Sequence, residues 1–355
     1  MRILIEDGLS SERQLTGIGH HSIQLWNSLR QIVQCDLSNY DYLKGFPRIV
    51  KRIAYLGIMN YQSVNSAYDI IHYQNYYTPF LKTKGKKIAT IHDLVAFRYP
   101  ETLPQIYCYY NKLSITRAVQ NCDAIFTRSH SVRNELLLLF PKLHPSNVYV
   151  CDGGLRDIFL SSSPDSKRLG KYYLLPFSYF LYVGDLLGRK NLSFLLNAFI
   201  DAKRSNKIQK ETTIVLVGKH AWDSWEFKHL IKEELGIKTV GYIPENDLVS
   251  FYKYCKGVIY PSIYEGYGLP LLEAMSQQAP IVISNIPTNN EINQLHNNQM
   301  AVFDLGDSDR LTILLRELDE NSGSIGTTIN YGDLSCYLYE NVARRHLEFY
   351  QKIVG

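Results

Sequence analysis

Short apolar segments alternate with helical patterns along most of the chain, and this alternation limits the fold more than any other feature of the sequence. In the first half, the segments typical of buried strands are MRILIE (1–6), YDIIHYQN (68–75), KKIATIHDL (86–94) and CDAIFTRSH (122–130). In the second half they are YFLYVGD (179–185), TTIVLVG (212–218), KTVGYI (238–243), GVIYPS (257–262) and PIVISN (280–285). Helical spacing between them predicts helices that include 106–120, 131–140, 190–203, 223–235, 245–255 and 270–277. Such alternation predicts parallel sheets covered by helices on both faces.

The chain has 355 residues, about twice the length of a typical domain, so two α/β domains are expected. A stretch with Ser, Pro and Gly at 161–171 is typical of a linker. We therefore expect two Rossmann-like doubly wound domains facing a cleft, the first at 1–165 and the second at 172–335. The helical ending at 336–355 is expected to pack back on the first domain. Ligands of such sheets bind at the carboxyl ends of the strands.

Composition excludes several classes of protein. With 45% hydrophobic and 20% charged residues, the chain is neither disordered nor a coiled coil. No segment reaches the roughly 18 apolar residues that cross a bilayer, and no apolar signal segment opens the sequence, so a cytoplasmic protein is expected. Six cysteines occur without a CxxC pair, which predicts reduced thiols rather than disulfides or a zinc site.

The net charge of +4 is divided unevenly, with +6 in residues 1–160 and −2 in the remainder. Two interpretations stay open: the halves face different partners, or a surplus of this size has no meaning. The segments 47–55 and 82–87 are basic, which suits either a solvated surface or peripheral docking on an anionic inner membrane. Nucleic acid is not an expected partner, because no recognition motif accompanies the charge.

The segment PSIYEGYGLPLLEAM (261–275) follows an expected strand and passes through a glycine-rich loop into a helix. Pro270 stands where that helix would begin, and the amides and positive dipole end of a helix suit a diphosphate. Glu265 in the loop and Glu273, expected within the first helical turn, could hold a hexose and a ribose at the two ends of the diphosphate. Considered alone, a solvated Glu265 and a Glu273 that complements the helix dipole are the simpler explanation.

A second segment, YVGDLLGRKNLSFLLNAF (182–199), repeats the order of strand, glycine-containing loop and helix. Arg189 and Lys190 stand at the expected start of the helix, where cations are unfavourable, so their position favours a function over a solvated helix start. Two fixed cations there would neutralise a departing diphosphate.

Together these segments resemble the retaining glycosyltransferases of family four, also called group one, which have the GT-B fold. The glutamate spacing in EGYGLPLLEA is similar to the defining motif of that family, and GRKN is similar to its phosphate-binding segment. LTGIGHHSIQL resembles its glycine loop, ATIHDLVAFRYPETLP its His-Asp strand end, and APIVISNIPTNNEI the strand and loop that follow the glutamates. The resemblance therefore spans most of the chain.

The resemblance implies roles for individual residues. Glu265 matches the carboxylate that contacts the transferred sugar, and Glu273 the carboxylate that holds the nucleotide ribose. Lys190 matches the diphosphate-binding lysine, with Arg189 as its basic neighbour, and His92 matches the histidine near the reaction centre. The resemblance further implies backbone contacts to the phosphates from Gly17, Gly19, Gly268 and Leu269, and to the base near Tyr242 and Ile243.

The activity implied is transfer of a sugar with retention of configuration from a nucleoside-diphosphate sugar to a glycan, without a metal or other cofactor. The first expectation is mannose from GDP-mannose, moved to a lipid-linked acceptor in O-antigen or capsule biosynthesis. A UDP-sugar or dTDP-rhamnose donor stays open, because Asp185, His20 and His21 replace arginines that many relatives have. A non-catalytic nucleotide-sugar-binding subunit is the alternative from another class. A nicotinamide dehydrogenase is disfavoured, because the loop at Gly17 lacks the third glycine of its fingerprint.

Three further features have competing explanations. Asp307, Ser308 and Asp309 have the spacing with which other glycosyltransferases hold manganese, but they precede a helical pattern, so helix capping and no metal site are expected. His72 is expected to be structural rather than part of the site. Tyrosines clustered in the first half suit stacking on acceptor sugars or ordinary packing equally well; they are Tyr76, Tyr77, Tyr107, Tyr109 and Tyr110.

Overall fold

A computed structural model describes residues 1–6, 17–38, 57–59, 67–79, 81–219, 225–321 and 329–355. The basic segment 47–55 lies outside these described residues. The chain divides into two compact units. The first unit comprises Met1–Arg156 together with Ser335–Gly355, and the second comprises Asp157–Leu334.

The described residues of the first unit form a six-stranded parallel sheet with the order β2-β1-β3-β4-β5-β6. Its strands are β1 (Arg2–Glu6), β2 (Gln34–Leu37), β3 (Ile70–Tyr73), β4 (Lys86–Ile91), β5 (Ala124–Thr127) and β6 (Val148–Val150). Its first helices are α1 (Gly17–Leu29), α2 (Val95–Arg98), α3 (Gln105–Asn121) and α4 (His130–Leu139), with 3-10 turns at Pro100–Thr102 and Pro145–Asn147. Because β2 pairs with β1 on the side opposite β3, the strand order reverses between β1 and β3.

The described residues of the second unit form another six-stranded parallel sheet, with the order β12-β11-β10-β7-β8-β9. Its strands are β7 (Tyr179–Val183), β8 (Thr213–Val217), β9 (Ile237–Gly241), β10 (Gly257–Tyr260), β11 (Ile281–Ser284) and β12 (Ala301–Phe303). Its helices are α5 (Ile158–Ser161), α6 (Leu192–Arg204), α7 (Trp225–Lys228), α8 (Glu245–Lys253), α9 (Leu269–Ser276), α10 (Pro287–Leu295) and α11 (Ser308–Glu320). This is the strand order of a dinucleotide-binding Rossmann sheet, whose reversal lies between β7 and β10.

The last helix, α12 (Tyr339–Val354), follows a 3-10 turn at Ser335–Tyr337 and packs on the first unit. Its Val342 and Tyr350 join Leu25 of α1 in the cluster that covers one face of the first sheet. The other face is covered by α3 and α4. Ile88 of β4 belongs to the first cluster and its neighbour Ala89 to the second, as the two-residue period of a doubly covered strand requires.

The structure differs from the sequence-based prediction at the sheet edges. Strands β2, β6 and β12 were not predicted, because Gln34–Leu37 has a single buried residue and Val148–Val150 and Ala301–Phe303 are only three residues long. All three are edge strands, where one side of the strand needs no partner. The predicted helix 223–235 is also not one element: within its described residues, α7 ends at Lys228 and a separate 3-10 turn spans Glu233–Leu235.

The predicted linker at 161–171 is wrong, because this segment packs on the second unit, which already begins at Asp157. Ser166–Tyr172 forms a 3-10 helix with a fully buried Leu169. Arg168 donates to Asp247 Oδ1 at 3.1 Å, and the Tyr172 hydroxyl donates to Oδ2 at 2.8 Å. These bonds and the Lys171 ammonium hold the pKa of Asp247 below its usual value, although burial opposes them.

The described residues also show the length of the helices, the state of the cysteines and the grouping of side chains that could bind a metal. In the described part of the chain, no helix is both long enough and apolar enough to cross a membrane. All six cysteines are free thiols. Across the described ranges, no three His, Cys, Asp or Glu side chains are grouped so that they could hold a metal ion.

Candidate active site

The strand order of the second unit brings two loops together. Strands β7 and β10 are neighbours at the point where the order of the sheet reverses. The loop after β7 carries Arg189 and Lys190, and the loop after β10 carries Glu265. The backbone N–H of Ile263 donates to the carbonyl of Arg189 at 3.0 Å, which joins the two loops directly. Ligands of doubly wound sheets bind at this position, beyond the carboxyl ends of the strands.

The centre of this site is the Glu265 carboxylate. Lys190 Nζ donates to Oε1 at 2.5 Å, and Ser262 Oγ donates to the same oxygen at 2.6 Å. Arg189 lies 3.7 Å from Oε2 and forms a second ion pair. Lys190, Glu265 and Ser262 are all buried. The arrangement therefore concentrates one negative and two positive charges in a site that water scarcely reaches.

The charge states follow from these contacts. Burial alone would raise the pKa of Glu265, but Lys190 and Arg189 outweigh it and hold that pKa below its usual value. Burial lowers the pKa of Lys190, and the attraction of Glu265 opposes this effect. Glu265 is thus an ionised acceptor of hydrogen bonds, which is the form that sugar hydroxyls bind best.

Arg189 and Lys190 lie at the entry of α6 as predicted, in a 3-10 turn, Gly188–Lys190, but the helix itself begins two residues later than the expected position 190. Asn191 follows with a left-handed φ of 55°, and α6 begins only at Leu192. Because the backbone reverses at Asn191, the two cations precede the positive end of the helix. This geometry lets Lys190 reach across to Glu265.

The glycine-rich loop continues into α9. Gly268, with φ of 115°, adopts a backbone conformation that strains residues with a side chain, and α9 begins at Leu269 with Pro270 in its first turn. The first amides of a helix have no partner inside the helix, so Gly268 and Leu269 stand where an anion could be bound. The prediction that Glu273 lies in the first turn is wrong: it is one turn further along, where its Oε2 accepts from the Tyr252 hydroxyl at 2.9 Å.

Tyr242 and Ile243 lie at the same edge of the sheet but further from its centre. They follow the outermost strand β9, directly after Gly241, whose φ is 63°. The Tyr242 side chain is 59% exposed, whereas that of Ile243 is 3% exposed. An exposed aromatic ring beside a buried aliphatic side chain suits contact with a planar base.

The remaining predicted residues, Gly17, Gly19 and His92, belong to the first unit. Gly17 and Gly19 form the first turn of α1, and the rest of the predicted glycine loop before them lies outside the described residues. His92 directly follows β4. Its Nε2–H donates to the backbone carbonyl of Gln74 at 2.6 Å, and Arg128 Nε donates towards its Nδ1 at 3.5 Å.

Burial and, after it, the Arg128 guanidinium lower the pKa of His92 to about 3. The imidazole is therefore neutral at pH 7, and both its nitrogens face protein groups. In this arrangement His92 is an oriented neutral ring rather than a proton carrier.

Arg128 lies within a group of buried histidines that the sequence did not predict. His21 comes from α1, His72 from β3 and His346 from α12, and burial lowers the pKa of each below its usual value. His72 contacts the Tyr350 hydroxyl at 2.5 Å and Thr90 Oγ1 at 2.8 Å, so it has the structural role that was expected.

The tyrosines of the first unit are divided between packing and exposure. The ring of Tyr76 meets that of Tyr77 edge-to-face, with centroids 4.8 Å apart, and Tyr77 meets the tilted ring of Tyr110 at 5.4 Å. All three tyrosines line a cavity of about 270 Å³ beside α3. Tyr107 and Tyr109 are exposed on the same helix.

In the second unit, Asp307 caps α11 by accepting from the backbone N–H of Arg310 at 2.9 Å, as expected for a cap.

Sequence comparison shows that these loops are similar to a known family. Residues 176–330 match the family described as glycosyl transferases, group 1. The chain is 28% identical over 290 residues to O-antigen chain mannosyltransferase B of Escherichia coli, covering 79% of this chain and 74% of that protein. It is 24% identical over 305 residues to O-antigen chain mannosyltransferase RfbU of Salmonella typhimurium, covering 78% and 80%.

Solved structures with the same fold cover the whole chain. A sucrose-phosphate synthase from Thermosynechococcus elongatus matches with a TM-score of 0.73 at 16% identity, over 99% of both chains. Anabaena HepE in complex with UDP and glucose matches with a TM-score of 0.72 at 15% identity, over 99% of this chain and 100% of HepE. The predicted α/β class and GT-B fold are thereby confirmed. The chain thus has the GT-B fold of these glycosyltransferase structures, and its residues 176–330 match the group 1 glycosyl transferase family.

Proposed function

We propose that the protein transfers mannose from GDP-mannose, with retention of configuration and without a metal ion, to a lipid-linked glycan during O-antigen biosynthesis. The observation that carries the proposal is the buried Lys190–Glu265 pair beside Arg189 at the reversal point of the second sheet. The named activity of the relatives, O-antigen chain mannosyltransferase, supports the choice of sugar and product.

The residues of the second unit suit the two ends of such a donor. Lys190 and Arg189 would bind the diphosphate, together with the backbone at Gly268 and Leu269. Glu265 would accept hydrogen bonds from the mannose hydroxyls, and Glu273, oriented by Tyr252, would hold the ribose. The base would lie against Tyr242 and Ile243.

In the proposed reaction, the bond from the anomeric carbon to the diphosphate oxygen breaks and a bond to the acceptor oxygen forms on the same face of the sugar. The proton of the acceptor hydroxyl passes to the departing phosphate oxygen. Lys190 and Arg189 stabilise the charge that develops on the diphosphate, which is the main electrostatic requirement of this step. No residue is assigned as a covalent nucleophile, since Glu265 is bound by cations on both oxygens.

We assign the acceptor to the first unit, and the proposal keeps for Gly17, Gly19 and His92 the roles that the family resemblance implies. The cavity lined by Tyr76, Tyr77 and Tyr110 offers aromatic faces on which sugar rings stack.

Peripheral contact with a membrane is part of the proposal, because a lipid-linked acceptor resides there. Helix α3 exposes a row of apolar side chains one turn apart, with Ile106 87%, Tyr109 72% and Leu113 54% exposed. Lys82 and Lys84 add exposed positive charge in the same unit. Anionic vesicles should therefore sediment the protein more strongly than neutral ones, and Ile106→Ser with Leu113→Ser should reduce that binding. Equal sedimentation of both proteins would contradict membrane docking by α3.

A thermal-shift screen over GDP, UDP, dTDP and their sugars tests the donor. GDP and GDP-mannose at 100 times their dissociation constants should each stabilise the protein by about 2.7 kcal/mol. Transfer is then measured with GDP-mannose and a lipid-linked acceptor, and the anomeric configuration of the product is read by NMR. Stabilisation and turnover with a UDP- or dTDP-sugar instead would overturn the choice of donor. Binding without transfer or donor hydrolysis would favour a non-catalytic subunit.

A further inference from the structure

Two buried groups in the second unit have the same chemistry in different places. In the first, the Glu265 carboxylate accepts from Lys190 Nζ at 2.5 Å and from Ser262 Oγ at 2.6 Å. In the second, the Asp319 carboxylate accepts from Lys256 Nζ at 2.7 Å and from Thr212 Oγ1 at 2.5 Å. Each group is a carboxylate, a lysine and a hydroxyl.

The Glu265 group and the Asp319 group lie at opposite ends of the strands of the second sheet. Ser262 and Glu265 follow β10 at the carboxyl ends of the strands, whereas Thr212 and Lys256 directly precede β8 and β10 at the amino ends. Ligands bind at the carboxyl ends. The Asp319 group is therefore a structural counterpart of the Glu265 group, with the same kinds of bond and no substrate.

Lys190 and Glu265 have separate tasks on the donor. A diphosphate attracts the Lys190 ammonium, and the stronger that attraction, the weaker the bond from Lys190 to Glu265 becomes. A buried carboxylate that loses its nearest cation needs another hydrogen bond to stay ionised and in place. The Ser262 hydroxyl is neutral, so the diphosphate does not draw it away as it draws a cation.

Ser262 is itself held by the next strand. Its carbonyl accepts from Ser284 Oγ of β11 at 2.5 Å, and the Asn289 side chain of α10 donates to both Ser284 oxygens at 3.2 Å. Thr288 Oγ1, at the start of α10, donates to the backbone carbonyl of Glu265 at 2.8 Å. Both the side chain and the backbone of Glu265 are thus fixed from β11 and α10, independently of Lys190.

We infer that Ser262 is a positioning residue that keeps the Glu265 carboxylate aimed at the donor sugar when Lys190 turns to the diphosphate. The inference rests on the proposed function and deepens it. It distinguishes recognition of the sugar, which depends on Ser262, from recognition of the diphosphate, which does not.

The test compares Ser262→Ala with Thr212→Val, a matched control that also removes a buried hydroxyl from a lysine-paired carboxylate. Affinities for GDP and GDP-mannose, or for the nucleotide and nucleotide sugar that the wild type turns over, are measured with kcat and KM. In Ser262→Ala, binding of GDP should stay within about twofold, while the preference for GDP-mannose over GDP and kcat should each fall by a factor of about 10. Thr212→Val should lower Tm but leave the preference for GDP-mannose over GDP and kcat unchanged.

Thr288→Val keeps the side-chain shape and removes the bond to the Glu265 carbonyl, so it provides a second measurement should Ser262→Ala fail to fold. Thr288→Val should also lower the preference for GDP-mannose over GDP and kcat, by a smaller factor than Ser262→Ala does. A folded Ser262→Ala, or in its place a folded Thr288→Val, with wild-type sugar preference and kcat would overturn the inference while leaving the proposed function intact. A wild-type chain that neither binds nor turns over any nucleotide sugar would refute both.

Discussion

Lys190 Nζ lies 2.5 Å from Glu265 Oε1, although 75 positions separate the two residues in the chain. The contact exists because β7 and β10 are neighbours in the sheet and each is followed by a loop that turns towards the other. With Arg189 on the second oxygen, the site has an excess positive charge, which we propose stabilises the departing diphosphate. The contribution of the Lys190–Glu265 pair to stability and its contribution to activity can be separated by substitution.

Lys190→Met should both inactivate and destabilise the protein. Removing Lys190 leaves the buried Glu265 carboxylate with the more distant Arg189 as its remaining cation, which should cost about 3 kcal/mol of unfolding free energy. Turnover should fall by a factor of about 10² to 10³, since a cation that stabilises the transition state is lost. The double variant Lys190→Met with Glu265→Gln also removes the buried negative charge and leaves only the partly exposed Arg189 charged, so it should recover most of the stability but none of the activity. Urea unfolding and steady-state kinetics measure the two effects, and a folded, fully active Lys190→Met would remove Lys190 from the mechanism.

Tyr252→Phe should weaken nucleotide binding without changing the preference for a sugar. The Tyr252 hydroxyl donates to Glu273, which is proposed to hold the ribose, so its loss should lower affinity for GDP and GDP-mannose alike by about tenfold. Calorimetric titration of both ligands checks this, with Ser262→Ala as the contrasting variant. A loss confined to GDP-mannose would show that Glu273 contacts the sugar instead.

The sequence was sufficient to locate the loops of the site but not their contacts. Each loop can be recognised because its signals are close together in the sequence: an apolar strand, a glycine-containing loop, and then the charged residues Arg189 and Lys190 in one case and Glu265 in the other. That the two loops touch depends on strand order, which neither periodicity nor composition reveals. Ser262 was missed for the same reason, since its partners Ser284 and Glu265 converge only when β10 and β11 pair.

The group of buried histidines around Arg128 is a second feature that could not be predicted from the sequence. Its members lie on α1, β3, the end of β4 and α12, so no window of sequence contains them. Considered singly, each was a histidine on an apolar segment. The edge strands β2, β6 and β12 were missed because short, half-exposed strands have little apolar periodicity.

The buried histidines should make stability depend on pH. The pKa values of His92 and His346 are about 3, and those of His21 and His72 are also well below their usual value, so the folded protein does not protonate them in mild acid. The unfolded chain binds these protons below about pH 6.5. Stability should therefore be nearly full above about pH 7.5 and fall as pH drops through 6.5, with a slope that approaches about 1.4 kcal/mol per pH unit for each histidine below about pH 5.5.

His346→Asn tests this dependence. The Asn side chain can still donate to the Val342 carbonyl, which accepts from His346 Nδ1 at 2.8 Å, but it does not titrate. Between pH 6.5 and 5.5 the slope of unfolding free energy against pH should become shallower by about 1 kcal/mol per unit. The groups that face His346, Arg128 and Cys151 among them, do not change charge in this interval. An unchanged slope would mean that His346 is protonated in the folded protein.

Asp307→Ala should cost stability and leave activity intact. The Asp307 carboxylate accepts from the Arg310 N–H and thereby caps α11, a bond worth about 1 kcal/mol of unfolding free energy. Asp309 is exposed in the first turn of the same helix, so Asp309→Ala is the matched control and should cost less. If the two aspartates held manganese, both variants and an excess of chelator would abolish transfer, and manganese would restore the chelated enzyme. Because a carboxylate engaged in capping is poorly placed for a metal, we expect both variants to transfer sugar at the wild-type rate, with or without chelator.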